Sequence, residues 1–106
     1  MLSLFFVAAT AWAIPPEEAA KHVGETVTVE GTVFNVNVSR VGNVFLNFGG
    51  ACPAQIFSAM VSSRTLNPRD YVDYTGKSVK VSGKVLLNRG KPEIVITSTS
   101  QIVMVQ

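Results

Sequence analysis

A ten-residue pattern occurs twice and limits what this chain can become. Gly24-Glu25-Thr26-Val27-Thr28-Val29-Glu30-Gly31-Thr32-Val33 recurs, 52 positions later, as Gly76-Lys77-Ser78-Val79-Lys80-Val81-Ser82-Gly83-Lys84-Val85. Valine alternates with polar or charged residues in both copies, the two-residue period of a strand buried on one face. A glycine leads each copy, and a second one, Gly31 or Gly83, interrupts it where a bulge or sharp bend fits. Two long strands that bend at glycines are what a small closed β-barrel requires at its corners. The polar faces of the copies differ: Thr28, Glu30 and Thr32 in one, Lys80, Ser82 and Lys84 in the other. That difference predicts a positive bias on one side of the barrel.

Bulk properties narrow the class further. A chain of 106 residues makes one domain with a modest core. Its abundance of valine and other β-branched residues favours strands over helices. Nine Lys and Arg stand against seven Asp and Glu, for a net charge of +2. This balance permits an anionic partner but falls short of the dense basic surface that non-specific duplex binding uses. A single cysteine, Cys52, excludes an intrachain disulfide, and with the single histidine, His22, it is too little for a Cys/His metal cluster.

Residues 1–13 read as an export signal. Leu2 to Ala9 is an apolar run, and Ala11-Trp12-Ala13 matches a small-x-small cleavage site, although no basic residue precedes Lys21. The expectation is a signal segment over 1–13, an exported (periplasmic or secreted) mature chain over 14–106, and no membrane span in it. If the segment is not a signal, the chain is cytoplasmic and the run packs on the barrel.

The rest alternates in short units. Pro15 to Gly24 predicts a short helix, with Pro at its first turn, acidic residues early and Lys21 and His22 late. A first strand follows over about Glu25 to Val38. Val27, Val29 and Val33 share one phase and Phe34, Val36 and Val38 the other, which predicts a bulge between Gly31 and Phe34. Val44 to Phe48 is the second strand and Ala54 to Val61 the third. Asn67-Pro68 opens a second short helix that closes before Gly76. The fourth strand is the second copy of the pattern, through Leu87. Asn88 to Pro92 turns into a fifth strand from Glu93, kinked at Ser98 to Ser100. Three strands, a short helix and two strands is the order of the five-stranded Greek-key OB-fold barrel. The predicted class is therefore all-β, with short helices before strand one and between strands three and four.

The motifs carry a family likeness. Gly24-x-x-Val27-x-Val29-x-Gly31-x-Val33, Phe45-Leu46-Asn47-Phe48-Gly49 and Phe57 resemble small bacterial OB-fold proteins of the nucleic-acid-binding type. Tyr74-x-Gly76-Lys77-x-Val79-x-Val81-x-Gly83-Lys84-Val85, Gly90-Lys91-Pro92-Glu93-Ile94 and Ser100-Gln101-Ile102 continue the likeness, which spans Ile14 to Val105. The signal-like start is also similar to periplasmic bacterial OB-fold proteins, whose partners are not generally nucleic acid. The resemblance is specific for fold and weak for ligand, because OB-folds host unrelated partners.

Catalytic patterns are missing. No Ser-His-Asp set, phosphate-binding glycine loop or HExxH motif is present, and Cys52 has no cationic neighbour in sequence to activate it. Asp70 and Asp73 alone make a poor cation site. The expectation is a non-enzymatic binding module without a cofactor. OB-folds that hold single strands place aromatics beside a cationic groove on strands two and three and the loops that flank them. Here those positions are Arg40 in the first loop, Phe45 and Asn47 on strand two, and Arg89 and Lys91 in the last hairpin. Lys80 and Lys84 on strand four extend the predicted basic stripe. Two alternatives stand beside a single-stranded DNA or RNA partner. One is an exported module for a protein, peptide, sugar or small cationic ligand. The other is a subunit held in a larger assembly.

Overall fold

The two copies of the repeated pattern lie side by side. In the computed structural model, which describes residues 12–105, strand β2 (Thr26–Thr32) pairs antiparallel with β6 (Ser78–Asn88). Val29 faces Val81, Thr28 faces Ser82 and Glu30 faces Lys80 in that register. The valines form one wall of the core, with Val29, Val79 and Val81 fully buried. On the outer side the hydroxyls bond across the ladder, Thr28 to Ser82 at 2.8 Å and Thr32 to Ser78 at 3.0 Å.

Around this pair run β1 (Ala13–Ile14), β3 (Asn35–Val38), β4 (Val44–Phe48), β5 (Phe57–Val61), β7 (Lys91–Ile96) and β8 (Ile102–Met104). The path through the sheet is β1-β2-β6-β7-β5-β4-β3, with β8 attached to β6. Pairing is antiparallel except for β1 on β2 and β5 on β7. The fold is mostly β, as expected, but the described residues form eight strands in an open mixed sheet rather than a closed ring of five. The added strands are short: β1 pairs through two residues, and β8 follows the kink as a separate strand beside β6.

The predicted first strand is two strands. β2 stops at Thr32 and β3 starts at Asn35, and between them the chain changes partners. The Val33 amide donates to Lys77 O at 2.9 Å, whereas the Phe34 amide donates to Asn47 O at 2.7 Å. The apolar phase flips at the same point, since Val33 is buried and Phe34 is exposed. Gly31 sits two residues earlier and serves a different purpose from the expected bend. A Cβ there would lie 2.6 Å from Pro16 Cγ, so the glycine lets the N-terminal helix approach the strand.

Both predicted helices are present as 3₁₀ turns, Pro16–His22 and Pro68–Tyr71. The first buries Ala19 and carries Glu17 and Glu18 in its first turn and Lys21 and His22 in its last, matching the helix dipole. His22 Nδ1 lies 2.9 Å from Glu25 Oε1, which gives it a local role. The second is capped as expected, with Asn67 Oδ1 accepting from the Arg69 amide at 3.1 Å, and it buries Tyr71. A third turn, Thr99–Gln101, marks the predicted kink. Phe48 and Phe57, with ring centroids 5.3 Å apart, join Leu46, Ile94 and Ile96 at the centre of the core. Among the described residues no helix is long and apolar enough to cross a membrane. The predicted signal segment lies outside the described residues except for Trp12 and Ala13. Ala13 pairs with Thr28.

Candidate nucleic-acid interface

Strands β3, β4, β5 and β7 present their non-core phase on one outer face. Val44, Leu46 and Phe48 of β4 point into the core, so Phe45 and Asn47 point out. Register places Asn37 beside Phe45, Asn35 beside Asn47, and Ser58 between Asn47 and Glu93. A cleft of about 360 Å³ opens over this face. Phe45, Asn47, Arg89 and Lys91 all line it, along with Gln55 and Asn88.

Each wall of the cleft has a local cause. The β6–β7 hairpin turns through Arg89 and Gly90 with φ of 55° and 81°, the pair of positive angles that a tight two-residue hairpin requires. That turn pairs Asn88 with Lys91 and puts Arg89 at an exposed tip. The opposite wall is the loop between β4 and β5. Gly49 has a φ of 81°, and a Cβ on it would sit 2.4 Å from Ile56 Cγ1, so the loop folds tightly over the end of the sheet. Lys91 ties the two walls together: its Nζ donates to Pro53 O at 2.6 Å and to Gln55 O at 3.0 Å.

The floor is rich in amides. Asn47 is 1% exposed although it lies on the outer face, because Asn35 and Asn37 cover it. Its Nδ2 donates to Asn37 Oδ1 at 2.7 Å and to Asn35 Oδ1 at 3.0 Å. Asn47 is thus a scaffold of the floor, and the donors of its side chain are already taken. Phe45 is half-buried, outside the core cluster, and available for a stacking contact. Cys52 is exposed on the rim.

Two groups at this face escaped sequence reasoning. Glu93 is 6% exposed, and its Oε2 has no hydrogen-bond partner among the described residues. Burial pushes its carboxyl above the ordinary value of 4.5, while a hydrogen bond with the Asn88 side chain pulls it back. Gln55 Oε1 is likewise buried and without a partner. The β-strand alternation does place Glu93 on the outer phase, opposite Ile94, but nothing in the linear sequence marks it as buried.

The predicted basic stripe separates into parts. Arg89 and Lys91 belong to the cleft. Arg40 follows Ser39, a lining residue, in the turn before β4 and is exposed beside the cleft rather than in it. Lys80 and Lys84 are not among the residues that line the cleft. Lys80 faces Glu30 on one side and Val103 on the other, and Lys84 faces Thr26. β6 rises about 3.3 Å per residue, which sets Lys80 roughly 26 Å along the strand from Asn88 at the cleft. Lys80 has a strand on each flank, β2 on one side and β8 on the other.

No protein-family model and no curated protein matches the chain. Its backbone is nonetheless similar to solved structures. An asparaginyl-tRNA synthetase from Pyrococcus horikoshii aligns with a TM-score of 0.62 and 18% identity over 88% of this chain and 23% of the synthetase. An aspartyl-tRNA synthetase from Entamoeba histolytica aligns with a TM-score of 0.61 and 20% identity over 91% of this chain and 21% of the synthetase. The likeness establishes an OB-like fold, and the chain spans about a fifth of the length of those synthetases.

Proposed function

We propose that this chain is a non-catalytic OB-fold module that holds single-stranded nucleic acid in the cleft above β4 and β5. In this reading β2 and β3 are one OB strand divided at Val33 and Phe34, and the other four are β4, β5, β6 and β7. The observation that carries the proposal is the convergence of Phe45, Arg89 and Lys91 on one cleft, with Arg40 at its margin. An aromatic platform beside cations is how sequence-tolerant single-strand binding works, because every base has a stacking face and every link has a phosphate. The tRNA synthetases that share the fold act on a nucleic acid by name, which is consistent with it.

The test is a salt titration of binding to unstructured DNA and RNA oligonucleotides, followed by fluorescence anisotropy. Three cations reaching phosphates give a slope of log K against log salt near −2, about −0.7 for each contact on a single strand. A chain that binds neither polymer at low salt, or binds with no salt dependence, is not this module.

A further inference from the structure

The cleft holds acceptors that no group among the described residues satisfies. Asn47 gives its amide hydrogens to Asn35 and Asn37, and Lys91 gives two ammonium hydrogens to the loop carbonyls. Glu93 Oε2 and Gln55 Oε1 are buried with no donor among the described residues. A buried acceptor without a partner is costly, on the order of 1–3 kcal/mol, and a fold that retains two such groups on one face is prepared for donors from outside. Ser58, the β5 neighbour of Glu93, and Asn88, its hydrogen-bond partner, both line the cleft, so the carboxyl lies against residues of the cleft floor.

We propose that the cleft accepts a guanine base, stacked on Phe45, whose Watson–Crick donors are received by Glu93 and Gln55. This inference rests on the nucleic-acid reading above. The base edges differ in what they offer. Adenine and cytosine each present one amino group, and thymine or uracil one imino hydrogen. Guanine presents an imino hydrogen and an adjacent amino group, two donors on neighbouring atoms of one edge. Two unfilled acceptors in one cleft match the edge that offers two donors better than the other three. The cationic rim, Arg89 and Arg40, stands where the flanking phosphates would run. A carboxylate receiving such donors recovers the hydrogen bonds that burial denied it, so the base and the floor satisfy each other.

The experiment compares the binding of the full chain to oligothymidylates that carry no substitution, one guanine or one inosine, which lacks the amino group of guanine. The expected result is at least about tenfold tighter binding for the guanine oligomer than for either of the others. Glu93→Gln keeps the volume and the bond to Asn88 but replaces the free oxygen with an amide nitrogen. It and Gln55→Met each remove most of the preference, and a cooperative thermal melt of each variant reports that the domain has folded. Equal, salt-sensitive binding of all three oligomers by the native chain overturns this inference and leaves the proposed function standing. A guanine preference that survives both substitutions overturns the assignment to these residues. Absence of binding to every oligomer overturns the proposed function and this inference together.

Discussion

Two glutamines divide the molecule. Gln101 sits where β6 and β7 part from each other, and its side chain is fully engaged. Its Oε1 accepts from the amides of Thr97 and Ser98 at 2.9 and 3.1 Å, and its Nε2 donates to Ser82 O and Val95 O at 3.0 and 2.9 Å. Gln55, in the loop between β4 and β5, has its side-chain oxygen buried with no partner among the described residues. The faces around them repeat the contrast. On the β2–β6 face, threonine and serine hydroxyls bond to one another across the ladder. On the β4–β5–β7 face, an aromatic ring stands half-buried beside a carboxyl with an unmet oxygen. Polar groups that satisfy each other hold a sheet together; polar groups that do not are available to a ligand. The first face is structural, and the second is the one that the proposed function assigns to binding.

Substitution at Gly83 gives the sharpest separation of the two. Its φ is +155°, and a Cβ would lie 2.7 Å from Ile94 Cγ2 and 3.1 Å from Gln101 Nε2. Gly83→Ala therefore strains the backbone and crowds both the core and the glutamine bridge, at a cost of about 2–4 kcal/mol. For a domain this size the melting temperature falls by more than about 8 °C. Oligonucleotide affinity of the protein that remains folded is unchanged, because no cleft residue is touched. A drop of less than about 3 °C in a thermal melt would show that the bridge does not constrain the fold as described.

Phe45→Ala acts on the other face. A stacked base contributes about 1–3 kcal/mol, so Kd for a single strand rises roughly five- to 150-fold. Because Phe45 lies outside the core cluster, the melting temperature moves far less than for Gly83→Ala. A variant that loses stability but keeps its affinity would return Phe45 to a packing role.

Protonation distinguishes the faces more gently. Burial raises the Glu93 pKa above 4.5, so the folded state holds its proton at pH values where the unfolded chain has released it. With more protons bound in the folded state, stability falls as pH rises from about 4.5 through the raised value. Glu93→Gln removes that loss. Its melting temperature exceeds that of the native chain at neutral pH, and the gain shrinks toward zero below the unfolded pKa. A gain that is independent of pH, or a loss at neutral pH, would mean that the carboxylate is held charged by a partner.

How much of this was written in the sequence depends on the range of each interaction. The valine alternation is local, so both copies of the pattern, their outer phases and the order of elements were legible before any coordinates. The cap at Asn67 and the hairpin at Arg89-Gly90 were legible for the same reason. The division of the first strand was visible only as a phase switch, because whether a switch becomes a bulge or a change of partner depends on Lys77 and Asn47, distant in sequence. Four of the seven predicted site residues line one cleft, since Phe45, Asn47, Arg89 and Lys91 sit on elements that chain order already places side by side. Glu93 and Gln55 were illegible. Their significance is a missing partner, and a missing partner exists only once every other group in the fold has been placed.

The smallest expected effect tests the boundary between the faces. Lys80 and Lys84 share the outer phase of β6 with Asn88, and sequence alone assigns them to the same basic stripe as Lys91. Phase is not position: a strand of 11 residues runs from the β2 ladder at one end to the cleft at the other. Lys80 belongs to the ladder and not to the cleft, since Glu30 opposes it there and the cleft is out of reach of its side chain. Replacing both lysines with alanine therefore changes stability by less than about 0.5 kcal/mol, as for solvated surface charges in general. The salt slope of oligonucleotide binding stays where it was. Arg89→Ala, by contrast, flattens that slope by about 0.7, one phosphate contact on a single strand. If the double lysine variant flattened the slope as well, the bound strand would extend along β6 onto the ladder, and the two faces would be one surface.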